Sequence, residues 1–155
     1  MVQHDLIFST EHGALRMGDY EDATSGVRSG SHDVVVFCAM ELPVPPAPPH
    51  RRVRVHGCPL DDAHLTREEI ARATETARHV ARSVASGSDV LVTCAQGRNR
   101  SGLVTALALH ALTGCGGAAA VRQVRERRLN ALGPALTNVT FVHYLITIRP
   151  AAVRR

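Results

Sequence analysis

The chain has 155 residues, 45% of them hydrophobic, which suits one compact domain with a buried core and excludes disorder and fibrous structure. All 18 basic side chains are arginine, which excludes lysine Schiff-base chemistry, and the net charge of +4 mildly favours anionic partners. Cys38, Cys58, Cys94 and Cys115 are widely spaced with no C-x-x-C pair, no basic N-terminal segment leads an apolar run, and no such run approaches the roughly 18 residues of a membrane span.

The expectation is therefore a reduced, cytoplasmic, soluble protein with no membrane span. Its nine histidines form neither H-x-H nor H-E-x-x-H, so no metal and no other cofactor is expected.

In chain order, residues 5–9 (DLIFS) predict a short strand, and residues 17–33 (MGDYEDATSGVRSGSHD) read as turn-rich. The β-branched run at 34–40 (VVVFCAM) predicts a buried strand. Residues 51–57 (RRVRVHG) alternate arginine with valine, the pattern of a strand with one wet face. Between these two strands the prolines of ELPVPPAPPHRR forbid regular hydrogen bonding and favour a stiff polyproline connector. Pro46, Pro49 and Arg51 match a P-x-x-P-x-R pattern of the kind SH3 domains bind, but the connector reading is preferred.

Residues 65–88 predict the clearest helix. Thr66 and Glu69 form a capping box, Ile70, Ala73, Ala77, Val80 and Val84 recur along one face, and Ser86 and Gly87 end it. The continuously apolar run at 89–94 (DVLVTC) predicts a central strand of an α/β sheet, with Cys94 at its carboxyl end. Residues 100–114 predict a second helix, apolar on nearly every side. A third, 117–132, turns Val121, Val124, Leu129 and Leu132 inward and Arg122, Arg125, Arg127 and Arg128 outward as a solvated charged face, and 138–148 predict a fourth. The fold class is α/β: a single domain over 1–155, with a central mixed, mostly parallel sheet flanked by helices.

The chemistry concentrates in VLVTCAQGRNRSG, residues 90–102. A glycine-containing loop between a strand end and a helix start lets the backbone N–H groups of Ala95, Gln96, Gly97, Arg98, Asn99 and Arg100 converge on one anion, aided by the helix dipole. Phosphate binding alone needs no cysteine. A thiol in that field is driven toward the thiolate, the nucleophilic form. Arg100 offers a fork of two parallel N–H donors to phosphate oxygens. The Ser101 hydroxyl can hydrogen-bond the sulfur as a phosphocysteine breaks down.

C-x-x-x-x-x-R-S on a strand, loop and helix resembles the signature of cysteine-dependent protein tyrosine phosphatases, in particular the small dual-specificity group. The resemblance implies that Cys94 is the nucleophile and Arg100 the phosphate clamp. It also implies a general acid on a separate upstream loop, three positions after a proline. In GCPLDDAHLT that position is Asp62, with Asp61 as the alternative. The implied activity is hydrolysis of phosphotyrosine, and of phosphoserine and phosphothreonine, in a phosphorylated protein substrate, by a monomer that binds no nucleic acid. The family usually places histidine directly before the nucleophile; here Thr93 stands there, and altered loop support is expected.

Other readings of the same cradle are a phosphoinositide or RNA 5′-phosphatase of this superfamily, a noncatalytic phosphate-binding module, and a rhodanese-type sulfurtransferase. Against the first, only Arg98 is basic among Ala95, Gln96 and Arg98. Low-molecular-weight phosphatases reverse the order of cysteine and acid. A low cysteine pKa together with Cys38 and Cys58 also raises redox control of Cys94 as an expectation.

Overall fold

A computed structural model of the chain describes residues 5–49, 52–129 and 133–152. Five strands form one sheet: β1 (Asp5–Ser9), β2 (Ala14–Gly18), β3 (Val34–Ala39), β4 (Arg54–Leu60) and β5 (Asp89–Thr93). Their spatial order is β1-β2-β5-β3-β4, with β1 antiparallel to β2 and the other neighbours parallel, so the sheet is mixed and mostly parallel. The helices are α1 (Tyr20–Ser29), α2 (Arg67–Ala85), α3 (Arg100–Thr113), α4 (Gly117–Arg127) and α5 (Val139–Ile146).

Every residue of β3 is buried, and its alternating side chains feed two cores. Val34, Val36 and Cys38 join the larger core, together with buried residues of α2, α3, α4 and α5. Val35 and Phe37 join the smaller one, with Ala23 and Val27 of α1. The sheet is thus covered on both faces, as continuous apolar strands require. Central β5 and the core helix α3 are built as their sequences predict, and α3 is buried from Arg100 through Leu109. Among the described residues no single helix is long and apolar enough to cross a membrane.

Several elements differ from the expectation. The stretch read as turn-rich holds the end of β2 and all of α1. Asp19 and Asp22 cap that helix reciprocally, and Gly30, with φ of 66°, closes it. A capping box is worth about 1 kcal/mol; with aspartate in place of the usual glutamate it escaped notice. Gly26 sits inside this helix because a Cβ there would stand 3.1 Å from the His32 ring.

β4 begins at Arg54 and runs through Pro59, which an edge strand tolerates because no neighbour needs the missing N–H. Arg51 lies outside the described residues. Along the connector, Leu42, Pro45 and Pro48 are half-buried while their neighbours are exposed, the three-residue repeat of a polyproline helix packed on one side.

The arginine face of α4 is also corrected. Arg122, Arg125 and Arg127 are exposed, but α4 ends at Arg127, and Arg128 is buried where the expectation placed a solvated charge. Leu129 is accordingly 80% exposed instead of inward, and Leu132 lies outside the described residues.

Candidate functional site

Cys94 directly follows β5, the central strand, at the edge where the parallel strands deliver their carboxyl ends. Ligands of open α/β sheets collect in that place. The loop 94–99 then turns into α3, whose N-cap residue Asn99 makes no side-chain capping bond. The free N–H groups of the first helical turn therefore remain available for an anion.

The loop is held from outside by its carbonyls. The Arg128 Nε donates to the Gly97 carbonyl (2.9 Å), while its Nη1 pairs with Asp5 (2.9 Å). The Leu136 N–H donates to the Arg98 carbonyl (3.0 Å). Across a planar trans peptide the N–H points opposite to the C=O, so drawing these two carbonyls outward turns the Arg98 and Asn99 amides inward.

Leu136 itself adopts a left-handed φ of 57° and packs its buried side chain against Gly102. Gly97 has φ of 64°, and a Cβ there would lie 2.5 Å from both the Gly18 carbonyl oxygen and the Arg128 Nη2. Gly97→Ala is therefore expected to destabilise the fold by about 1–3 kcal/mol. Chemical denaturation measures it, and an unshifted midpoint would refute the crowding.

The cavity over this loop holds about 260 Å³ and is lined by residues 94–100 other than Gly97, together with Glu41 and Asp62. Cys94 lines the cavity and is 4% exposed, and its sulfur sits 3.2 Å from the Ser101 hydroxyl. Asp62 lines the cavity. Asp61 does not, and its backbone N–H is bound to Glu69 (3.0 Å). Of the sequence candidates, Cys94, Ala95, Gln96, Arg98, Asn99, Arg100 and Asp62 converge here, Gly97 forms the loop's back, and Ser101 stands behind the sulfur.

Thr93 is buried and donates to the Val36 carbonyl (2.7 Å). Its hydroxyl ties β5 to β3 and does not face the cavity, so it braces the sheet rather than the loop.

Arg100 is 6% exposed and grips Glu41 with both terminal nitrogens, Nη2 to Oε1 at 2.7 Å and Nη1 to Oε2. That hydrogen bond holds the Glu41 carboxyl below the usual carboxylate range. Burial opposes the Arg100 charge, but Glu41, Cys94 and Asp62 together raise the guanidinium's pKa. Arg100 Nε is buried and has no partner among the described residues. The terminal nitrogens are thus fixed by Glu41, with Nη1 also donating to the Leu60 carbonyl (3.3 Å), and the Nε keeps an unused donor.

Glu41 and Arg128 carry much of this geometry, and neither was read from sequence as a site residue. Glu41 follows β3 at the head of the proline connector, and Arg128 stood in an arginine cluster on a helix. Only the chain's path joins them to the loop.

The buried Cys38 and Cys58 thiols lie beside each other, close enough to shift one another's titration. That contact, then burial, pushes Cys38 well above the ordinary thiol value, with the nearby Cys94 adding to the rise, while the same contact lowers Cys58.

No protein-family model matches the chain, and no curated protein matches it significantly. Solved structures do. A variant of human DUSP28 is 20% identical with a TM-score of 0.71, over 95% of this chain and 93% of that one. A mouse protein assigned to the dual specificity phosphatases, solved with zinc tungstate, is 25% identical with a TM-score of 0.69, over 86% and 80%. OH1 from the Orf virus, described as a tyrosine phosphatase with triple substrate specificity, is 23% identical with a TM-score of 0.66, over 89% and 82%. A central strand leading into Cys94, a loop that passes into α3 at Arg100 and this set of neighbours together give the chain the fold of the cysteine-dependent protein tyrosine phosphatase superfamily, in its small dual-specificity form.

Proposed function

We propose that the protein is a phosphatase that hydrolyses phosphotyrosine, and with it phosphoserine and phosphothreonine, in phosphorylated proteins through a phosphocysteine. The observation that carries this reading is the convergence, in one cavity, of a thiol, an arginine whose Nε keeps an unused donor and an aspartate from another loop.

In the first step the Cys94 thiolate attacks phosphorus while the inward amides and the Nε edge of Arg100 hold the phosphoryl oxygens. As the ester P–O bond breaks, Asp62 gives its proton to the leaving oxygen. In the second, water attacks the phosphocysteine and Asp62, now the base, takes its proton. The sulfur departs toward the Ser101 hydroxyl, which stabilises the returning thiolate. Ala95, Gln96, Gly97, Arg98 and Asn99 supply the phosphate-binding backbone.

Two features favour a protein monoester over a more highly charged lipid or RNA end. The carboxylate of Glu41 stands in the wall, and Arg98, the loop's added base, spends its Nε on the Pro134 carbonyl (3.2 Å). The same reading takes the protein as a cytoplasmic monomer.

Para-nitrophenyl phosphate at mildly acidic pH tests it: the expected result is release of nitrophenol that tungstate and vanadate suppress. Asp62→Asn is expected to lower kcat about 10²- to 10⁴-fold and Asp61→Asn to leave it within a few fold. Binding of tungstate without any turnover would leave a phosphate-binding module instead.

A further inference from the structure

The loop that carries Asp62 has no helix or strand between Leu60 and Arg67, and its side chains from Asp61 to His64 are exposed. What holds it over the cavity comes from far along the chain. Asn138 caps α5, its Oδ1 accepting from the Thr140 N–H (3.0 Å) and the Phe141 N–H (3.3 Å). With its oxygen committed to the helix, its amide nitrogen must face the other way. There it donates to the Asp62 main-chain carbonyl (3.2 Å) and to the Asp62 Oδ1 (3.2 Å). The Asn138 backbone N–H in turn donates to the Asn99 Oδ1 (2.9 Å), and the Asn99 amide nitrogen reaches the Asp62 Oδ2 at 3.5 Å.

We propose that Asn138 is the positioning residue of the acid loop, holding Asp62 in register with the phosphate loop through Asn99. The inference rests on the proposed role of Asp62. It adds that the docking contact lies in the helix cap of α5, so one side chain serves the helix with its oxygen and the reaction with its nitrogen. Asn138 acts through the Asp62 carboxyl it holds, not on the phosphoryl group. Its effect runs through where Asp62 stands when the leaving oxygen needs a proton, and a poor leaving group needs that proton most.

These two tasks can be separated. Serine is as good an N-cap as asparagine but has no amide nitrogen, and aspartate caps equally while turning a second carboxylate toward Asp62. The experiment compares wild type, Asn138→Ser, Asn138→Asp and Asp62→Asn, each also combined with Asp62→Asn where possible, on phenyl phosphate and para-nitrophenyl phosphate, with melting temperatures alongside.

For Asn138→Ser the loss in kcat on phenyl phosphate is expected to exceed the loss on para-nitrophenyl phosphate by about tenfold, at a melting temperature close to wild type. Asn138→Asp is expected to lose more. In the Asp62→Asn background Asn138→Ser is expected to add almost nothing, because the group it positions is gone. Equal losses on the two substrates, or full additivity with Asp62→Asn, would reduce Asn138 to a helix cap and overturn the proposal. If Asp62→Asn itself shows no dependence on leaving group, the acid assignment fails first, and that outcome is visible in the single variant alone.

Discussion

Cys94→Ser is expected to abolish turnover of para-nitrophenyl phosphate, a loss on the order of 10⁴-fold or more, while leaving tungstate binding intact. The two halves of this result come from different parts of the site. In the proposed mechanism binding rests on backbone amides, on the uncapped start of α3 and on Arg100, none of which the substitution touches. In the proposed mechanism turnover rests on the sulfur, and a serine hydroxyl in the same place is not ionised at assay pH. Isothermal titration with tungstate and single-turnover kinetics measure the two separately. A variant that kept more than about a tenth of the activity would remove Cys94 as nucleophile.

Arg100→Lys is expected to lower kcat about 10²- to 10³-fold with a preserved fold. Lysine keeps the charge but has no second edge. In the native site the terminal nitrogens of Arg100 are occupied by Glu41 while the buried Nε has no partner among the described residues. An ammonium must choose between the carboxylate and the phosphoryl oxygens. Glu41→Gln tests the same geometry from the other side and is expected to cost less, about tenfold, since a hydrogen bond survives without its charge.

The pH dependence follows from the lowered Glu41 pKa. The carboxylate's contribution is present above the ordinary glutamate range and is lost only as pH falls through the lowered value, so the pair survives mildly acidic assays. Steady-state kinetics on Arg100→Lys decide the matter, and wild-type kcat in that variant would show that charge alone suffices.

Residues 90–102 were legible because strand, glycine, thiol and guanidinium chemistry sit within one short run. The Thr66–Glu69 box and the apolar stripe of α2 were legible for the same reason: each is a local pattern. β2 was not, since only Leu15 and the Met17–Gly18 end are buried, with half-buried Arg16 between them. α1 was hidden by its serines, threonine and glycine, which lower helix propensity, while packing against Val35 and Phe37 decides its state.

The supporting residues were illegible for a further reason. Glu41, Arg128 and Asn138 belong to three separate segments, and each has a complete local explanation as a strand exit, a helix charge or a helix cap. Their second partners exist only once the chain has folded.

The ion pair beneath the phosphate loop therefore has a consequence in time. Asp5 and Arg128 are 123 positions apart, yet together they brace the carbonyl of Gly97. A chain emerging from the ribosome makes Cys94, Arg100 and the whole signature loop well before Arg128 is available. Until then the cradle lacks the contact that turns its amides inward, and such distant contacts form late. The nascent polypeptide thus carries its nucleophile early and gains its anion trap among the last events of maturation.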